Sequence, residues 1–186
     1  PAATRPDTQI MFNPYSMGDT SKGIAFENEP GMQTYFYILR PQSEGHALIT
    51  SADPNAPLDI DPAFYQADID RETAVEGTRA IRRIMEQDAL KPYVVGETEK
   101  TSWAKSDKDI LELYKTTGNS GQHAVGTAAM GPDETDVLDS RCRVRGVEGL
   151  RVIDCSIFRE MPSGNTNAPT MAAAWRLSEL MQEEIR

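Results

Sequence analysis

The chain has 186 residues, 39% of them apolar and 26% charged, which suits one ordinary domain or one and a half with a real core and argues against wholesale disorder. A formal net charge of −10 and a pI near 4.7 argue against nucleic acid and anionic membrane as partners, since both call for a basic patch. Two cysteines, Cys142 and Cys155, are too few for a zinc motif, and no apolar run approaches the roughly 20 residues of a membrane helix.

Residues 1–9 are rich in Pro, Thr and Asp and read as irregular. Gln9 to Asn13 predicts a short strand that Pro14 stops. Tyr15 to Gly31 reads as a polar, mobile loop. Gln33 to Arg40 is the best strand in the chain, aromatic and β-branched, and Pro41 ends it. Gly45 to Thr50 is a second strand, and the two are expected to pair antiparallel. His46 sits in it among small and apolar residues and reads as structural or exposed. Ser51 to Pro57 is a loop leading into Leu58-Asp-Ile-Asp-Pro62.

Residues 70–87 predict an amphipathic helix with Ala74, Val75, Ile81, Ile84 and Met85 near one face. Its acidic residues come early, and Arg79, Arg82 and Arg83 come late, as the helix dipole favours. The basic cluster reads as solvated. Ser106-Asp-Lys-Asp109 predicts a capping box opening a short helix that Gly118 stops. Arg141–Arg145 and Leu150–Ile153 predict a hairpin around Gly146-Val-Glu-Gly149. A last helix begins near Pro169, with Met171, Ala174, Trp175, Ser178, Met181 and Ile185 as its core stripe. The two cysteines flank the hairpin; a disulfide is conceivable, but reduced, partly buried thiols are the expectation.

Oxidising an alcohol removes a proton from oxygen and a hydride from carbon. No side chain accepts a hydride, so that task belongs to a cofactor. Histidine is the natural proton acceptor, and the chain has two. His123 is the candidate, in a loop bounded by glycines. An asparagine amide can hydrogen-bond a developing alkoxide without changing charge. By its residues alone the Asn165-Thr-Asn167 turn before the last helix reads as a helix cap. No G-x-S-x-G, no resolvable carboxylate pair and no metal-ligand spacing is present, which sets aside hydrolase and metal chemistry.

One stretch ties these residues together. It reads His123-Ala-Val-Gly-Thr-Ala-Ala-Met-Gly131, then Val137-Leu-Asp139, then Arg143-Val-Arg-Gly-Val-Glu-Gly-Leu-Arg-Val-Ile-Asp-Cys-Ser156, and ends in Asn165-Thr-Asn-Ala-Pro-Thr170. This order of elements resembles the carboxy-terminal signature of the glucose–methanol–choline (GMC) flavin oxidoreductases. Leu39-Arg-Pro-Gln-Ser-Glu-Gly45, Ser51-Ala-Asp-Pro54 and Ile60-Asp-Pro62 extend the resemblance to about 150 residues.

The resemblance implies FAD as cofactor and a small-molecule alcohol as substrate. His123 would take the hydroxyl proton while hydride passes to flavin N5, and Asn165 would hold the alkoxide. It also implies that Asp154, with Cys155 beside it, together with Thr166 and Asn167, contacts the cofactor. The expected fold class is α+β, an antiparallel sheet with flanking helices. Residues 8–120 would form the substrate-binding domain, and 121–186 would complete the FAD-binding domain. No G-x-G-x-x-G follows a predicted strand and Pro1 opens the chain, so the resemblance implies a partner, the N-terminal FAD-binding half of the same protein. The piece alone is then expected to be inactive. The alternatives are a GMC-type hydroxynitrile lyase and a non-catalytic binding module without flavin. A soluble, cytoplasmic chain is the default for localisation, and the oligomeric state is not legible.

Overall fold

The computed structural model describes residues 4–18 and 25–185. The chain is α+β and groups into two compact units. One holds Pro1–Ile38 with Asp68–Asn119, the other Leu39–Ala67 with Ser120–Arg186.

In the first unit, strand β1 (Thr8–Asn13) pairs antiparallel with β2 (Gln33–Ile38), from Thr8 opposite Ile38 to Asn13 opposite Gln33. The expected partner of β2 was the strand after Pro41, and this pairing replaces it. The described ends of the predicted loop 15–31 also pair, through a bridge between Met17 and Phe26 and edge-on packing of Tyr15 on Phe26. Residues 19–24 of that loop lie outside the described residues.

Helix α1 (Asp68–Met85) packs against β2. It buries Ala74, Val75, Gly77 and Thr78, while Ile84 from the predicted face is 44% exposed. Gly77 explains the shift: a Cβ there would lie 2.9 Å from Cε2 of Phe36, so the helix approaches the aromatic strand where it has no side chain. Arg82, predicted to be solvated, instead makes a two-point ion pair with Glu97, at 3.1 and 3.0 Å. Short helix α2 (Glu99–Ser102) leads to α3 (Asp107–Thr117). The expected capping box is present: Asp109 N–H donates to Ser106 Oγ at 3.2 Å, and Ser106 N–H to Asp109 Oδ2 at 3.0 Å. Gly118 ends the helix, donating its N–H to the Tyr114 carbonyl. Val75, Ala104, Ile110 and Leu113 form the core, with Phe36 edge-on to Tyr114 beside it.

In the second unit, β3 (His46–Leu48) pairs antiparallel with β4 (Asp59–Asp61). The loop between them folds on itself and favours this local pairing. Ser51 Oγ accepts from Asp53 N–H, Asp53 Oδ1 accepts from Asn55 N–H, and Thr50 Oγ1 donates to the Pro57 carbonyl. The exposed His46 contacts Asp59, as a surface residue would.

The hairpin 141–153 is present as a single bridge, Arg143 opposite Arg151, with flanking bonds from Val144 N–H to Leu150 O and from Val152 N–H to Cys142 O. Gly146 and Gly149, at φ 76° and 73°, take the left-handed turn positions. A 3₁₀ turn, η1 (Cys155–Ile157), and helix α4 (Asn167–Ile185) complete the unit.

The predicted stripe of α4 is corrected: Met171 and Trp175 are 69% and 73% exposed. The opposite face, Ala173, Leu177 and Leu180, packs with Leu138, Cys142 and Ile157. A helix apolar on both faces gives periodicity nothing to choose between. Both cysteines are free, as expected, and Cys142 is buried. Among the described residues no helix is long and apolar enough to cross a membrane, and no group of side chains could hold a metal ion.

Candidate active site

The site is built where the segment after Gln122 lies along η1. Gln122 adopts φ 58°, an uncommon conformation for a residue with a side chain, and delivers His123 from a turn in which its N–H bonds Ser120 Oγ. Gly126 and Ala128 N–H groups both donate to the Ser156 carbonyl, at 3.1 and 3.2 Å, and Met130 N–H donates to Ile157 O. Gly126 needs its freedom here, at φ 90°. The Cys155 thiol donates to the Ala124 carbonyl at 3.4 Å. The loop carrying His123 is therefore held at successive points by one short turn.

That turn has its own cap. The Asp154 carboxylate accepts from Ser156 N–H at 2.8 Å and from the Ser156 hydroxyl. Asp154 is exposed and Cys155 half-buried.

The half-buried His123 meets the start of α4. Its Nδ1 lies 3.0 Å from Oγ1 of Thr166, which is only 7% exposed. The Thr166 carbonyl accepts from Thr170 N–H at 3.0 Å and from the Thr170 hydroxyl at 2.6 Å, so Thr166 sits at the boundary of the helix. Asn165 and Asn167, on either side of it, are exposed. The residue before the helix is therefore Thr166, between the two asparagines of the turn that the sequence read as a cap. Arg40 donates to Ser163 Oγ at 2.8 Å, which ties the 39–67 segment to the loop before Asn165.

Of the sequence-predicted residues, the structure joins His123 to Thr166 and Cys155 to the backbone of the His123 loop. The Asn165 and Asn167 side chains stand in the exposed shell of the same helix start. Thr166 as the partner of His123 had no sequence signal, because the residues are 43 positions apart.

Electrostatics separate supporting groups from reactive ones. Glu184 is gripped by Arg141, Arg143 and Arg151, with Arg143 at 2.7 Å, and these hydrogen bonds hold its carboxyl down at about 2. Burial pushes Asp139 up, but the N–H groups of Arg143 and Arg141 outweigh it and keep the carboxyl below its usual range. Burial, helped by Asp139, pushes the Cys142 thiol up, so it stays an inert core group. These groups stiffen the hairpin behind the His123 loop.

Comparison with known proteins identifies the family. The GMC oxidoreductase family profile matches residues 41–174. The chain is 32% identical to the mitochondrial choline dehydrogenase of Mus musculus over 184 residues, covering 98% of this chain and 30% of that protein. It is 36% identical to the chloroplastic fatty acid photodecarboxylase of Chlamydomonas reinhardtii over 155 residues, covering 82% of this chain and 25% of that protein. Among solved structures, pyridoxine 4-oxidase from Mesorbium loti matches with a TM-score of 0.81 at 23% identity, over 98% of this chain and 35% of that one, a likeness of fold. An FAD-dependent oxidoreductase from Chaetomium thermophilum matches with a TM-score of 0.73 at 29% identity, over 84% and 27%. The chain spans under a third of the length of these two curated relatives. With the family profile matching more than half of its residues, the chain belongs to the GMC oxidoreductase family.

Proposed function

We propose that this chain supplies the substrate-side residues of an FAD-dependent enzyme that oxidises an alcohol to an aldehyde or ketone. The observation that carries this reading is His123. Its loop is fastened to η1 and its Nδ1 is engaged by Thr166, leaving Nε2 to meet a substrate. The similarity to a choline dehydrogenase, an enzyme named for an alcohol, supports the substrate class.

The donor chemistry at the start of α4 fits a flavin. Asn165 and Asn167 are exposed amides, and the first turn of a 19-residue helix offers free N–H groups and a partial positive charge to an electron-rich ring edge. Asp154, Cys155 and Asn167 are the residues proposed to face the cofactor, with Thr166 beside it through its backbone alone, since its hydroxyl is turned to His123. FAD, when bound, supplies the hydride acceptor that no side chain can provide. His123 Nε2 takes the hydroxyl proton, a role worth about 10²–10⁴ in rate. Asn165 donates its amide hydrogen to the oxygen as negative charge develops there.

Within the complete protein, residues 8–120 act as the substrate-binding domain and 121–186 complete the FAD domain. The N-terminal FAD-binding half is the partner of both, and the greater length of the relatives supports the presence of such a further part.

The 36% identity to a fatty acid photodecarboxylase favours a second reading, light-driven loss of CO2 from a carboxylic acid. Such a substrate is already ionised near neutral pH and leaves no hydroxyl proton for His123 to remove. A visible absorption spectrum of the complete protein, without oxygen and with a panel of alcohols, tells the readings apart. Bleaching of the flavin band in the dark supports alcohol oxidation. An unbleached band with light-dependent CO2 release from a fatty acid supports the second reading. An unbleached band with cyanide release from a hydroxynitrile points to a lyase.

A further inference from the structure

We propose that Thr166 is a positioning residue for His123: its hydroxyl oxygen accepts a hydrogen bond from Nδ1–H and so keeps Nε2 unprotonated. The inference rests on reading His123 as the base, and it adds what sets that base in its working form.

A neutral imidazole carries one hydrogen, and the partner of one ring nitrogen decides which nitrogen holds it. The 3.0 Å contact between Nδ1 and Thr166 Oγ1 admits two arrangements. If the hydroxyl donates to a bare Nδ1, the hydrogen sits on Nε2, and His123 cannot take a proton there. If Nδ1–H donates to the hydroxyl oxygen, Nε2 keeps its lone pair. Only the second arrangement suits a base.

The same arrangement serves the product of the step. The proton leaves the substrate hydroxyl and arrives on Nε2, so both ring nitrogens then carry hydrogen. Nδ1–H keeps its acceptor, and the bond becomes charge-assisted. Thr166 gains and loses no proton.

Both partners are fixed for this task. Thr166 is buried at the helix start with its carbonyl inside the first helical bonds. The His123 loop is tied to η1 through Ala124, Gly126 and Ala128. The ring therefore meets a hydroxyl on a buried backbone held by helical hydrogen bonds.

The test uses the complete flavoenzyme with ring-labelled ¹⁵N-histidine, at a pH where the ring is neutral, and Thr166→Val, Thr166→Ser and His123→Ala variants. The expected wild-type spectrum has His123 Nδ1 in the protonated range and Nε2 in the unprotonated range. In Thr166→Val this preference is lost and anaerobic flavin reduction slows roughly 10- to 100-fold with FAD content unchanged. Thr166→Ser restores most of both. A wild-type His123 with its hydrogen on Nε2 overturns the proposal. So does a Thr166→Val enzyme that keeps the wild-type tautomer and rate, or one that is slow only because it has lost FAD. A His123→Ala enzyme that reduces its flavin at the wild-type rate sinks the base reading itself, while the tautomer spectrum still reports on Thr166.

Discussion

The Thr166 hydroxyl and the His123 imidazole meet at 3.0 Å although 43 residues separate them in sequence. Because Thr166 turns inward to that contact and is buried, its neighbour Asn165 is left exposed at the same helix start. One backbone thus presents an inward hydroxyl to the ring and an outward amide to solvent, next to each other.

This exposure supports the proposal that Asn165 acts on the transition state. In the complete protein, Asn165→Ala should slow flavin reduction by roughly 10²- to 10³-fold, the usual cost of one oxyanion donor, with little change in melting temperature. Rapid anaerobic mixing with an alcohol and a thermal melt measure the two quantities. A loss of stability with a normal reduction rate would make Asn165 a structural residue instead.

Glu184 gives a pH prediction with a defined sign. Its carboxyl sits at about 2 in the folded chain, against about 4.3 for a free glutamate. A depressed folded value adds stability above the unfolded value and loses it as pH falls towards the folded one. The grip of Arg141, Arg143 and Arg151 should therefore stabilise the second unit fully above about pH 5 and fade between pH 4.3 and 2. Glu184→Gln should lower the urea midpoint at pH 7 and converge with wild type near pH 2. High salt should shrink the pH 7 difference, since these charges reach solvent. Midpoints that differ equally at both pH values would contradict the assignment.

Gly77 tests the packing of the first unit. Glycine to alanine inside a helix normally gains about 1 kcal/mol. Here the new methyl would press on the Phe36 ring, which Tyr114 already holds edge-on at 5.5 Å. Overpacking of this kind costs about 1–3 kcal/mol, so Gly77→Ala should be net destabilising by on the order of 1 kcal/mol. Adding Phe36→Leu should turn the alanine into a gain. Chemical denaturation of the four proteins of that cycle measures it, and a stabilising Gly77→Ala in the wild-type background would refute the close approach.

The parts of this structure that were legible in sequence are those written in local chemistry. Ser106 and Asp109 at capping-box spacing, glycines at 146 and 149, and the α1 and α4 spans follow from neighbours within a few residues. The family signature located His123, η1 and the start of α4 together because their order is unusual. Strand partners were not legible. Both β1 and the strand after Pro41 suit β2, and only the turn chemistry of Ser51 to Pro57, which closes β3 on β4, settles the choice. The buried face of α4 was hidden because Met171 and Trp175 on one side are as apolar as Leu177 and Leu180 on the other. The His123–Thr166 contact depends on tertiary folding and leaves no mark in periodicity.

The central claim is that His123 takes the substrate proton, and the rate of anaerobic flavin reduction in wild type and His123→Ala tests it most directly. The account predicts a fall of about 10²–10⁴-fold with FAD still bound. A His123→Ala enzyme that reduces its flavin near the wild-type rate would contradict it.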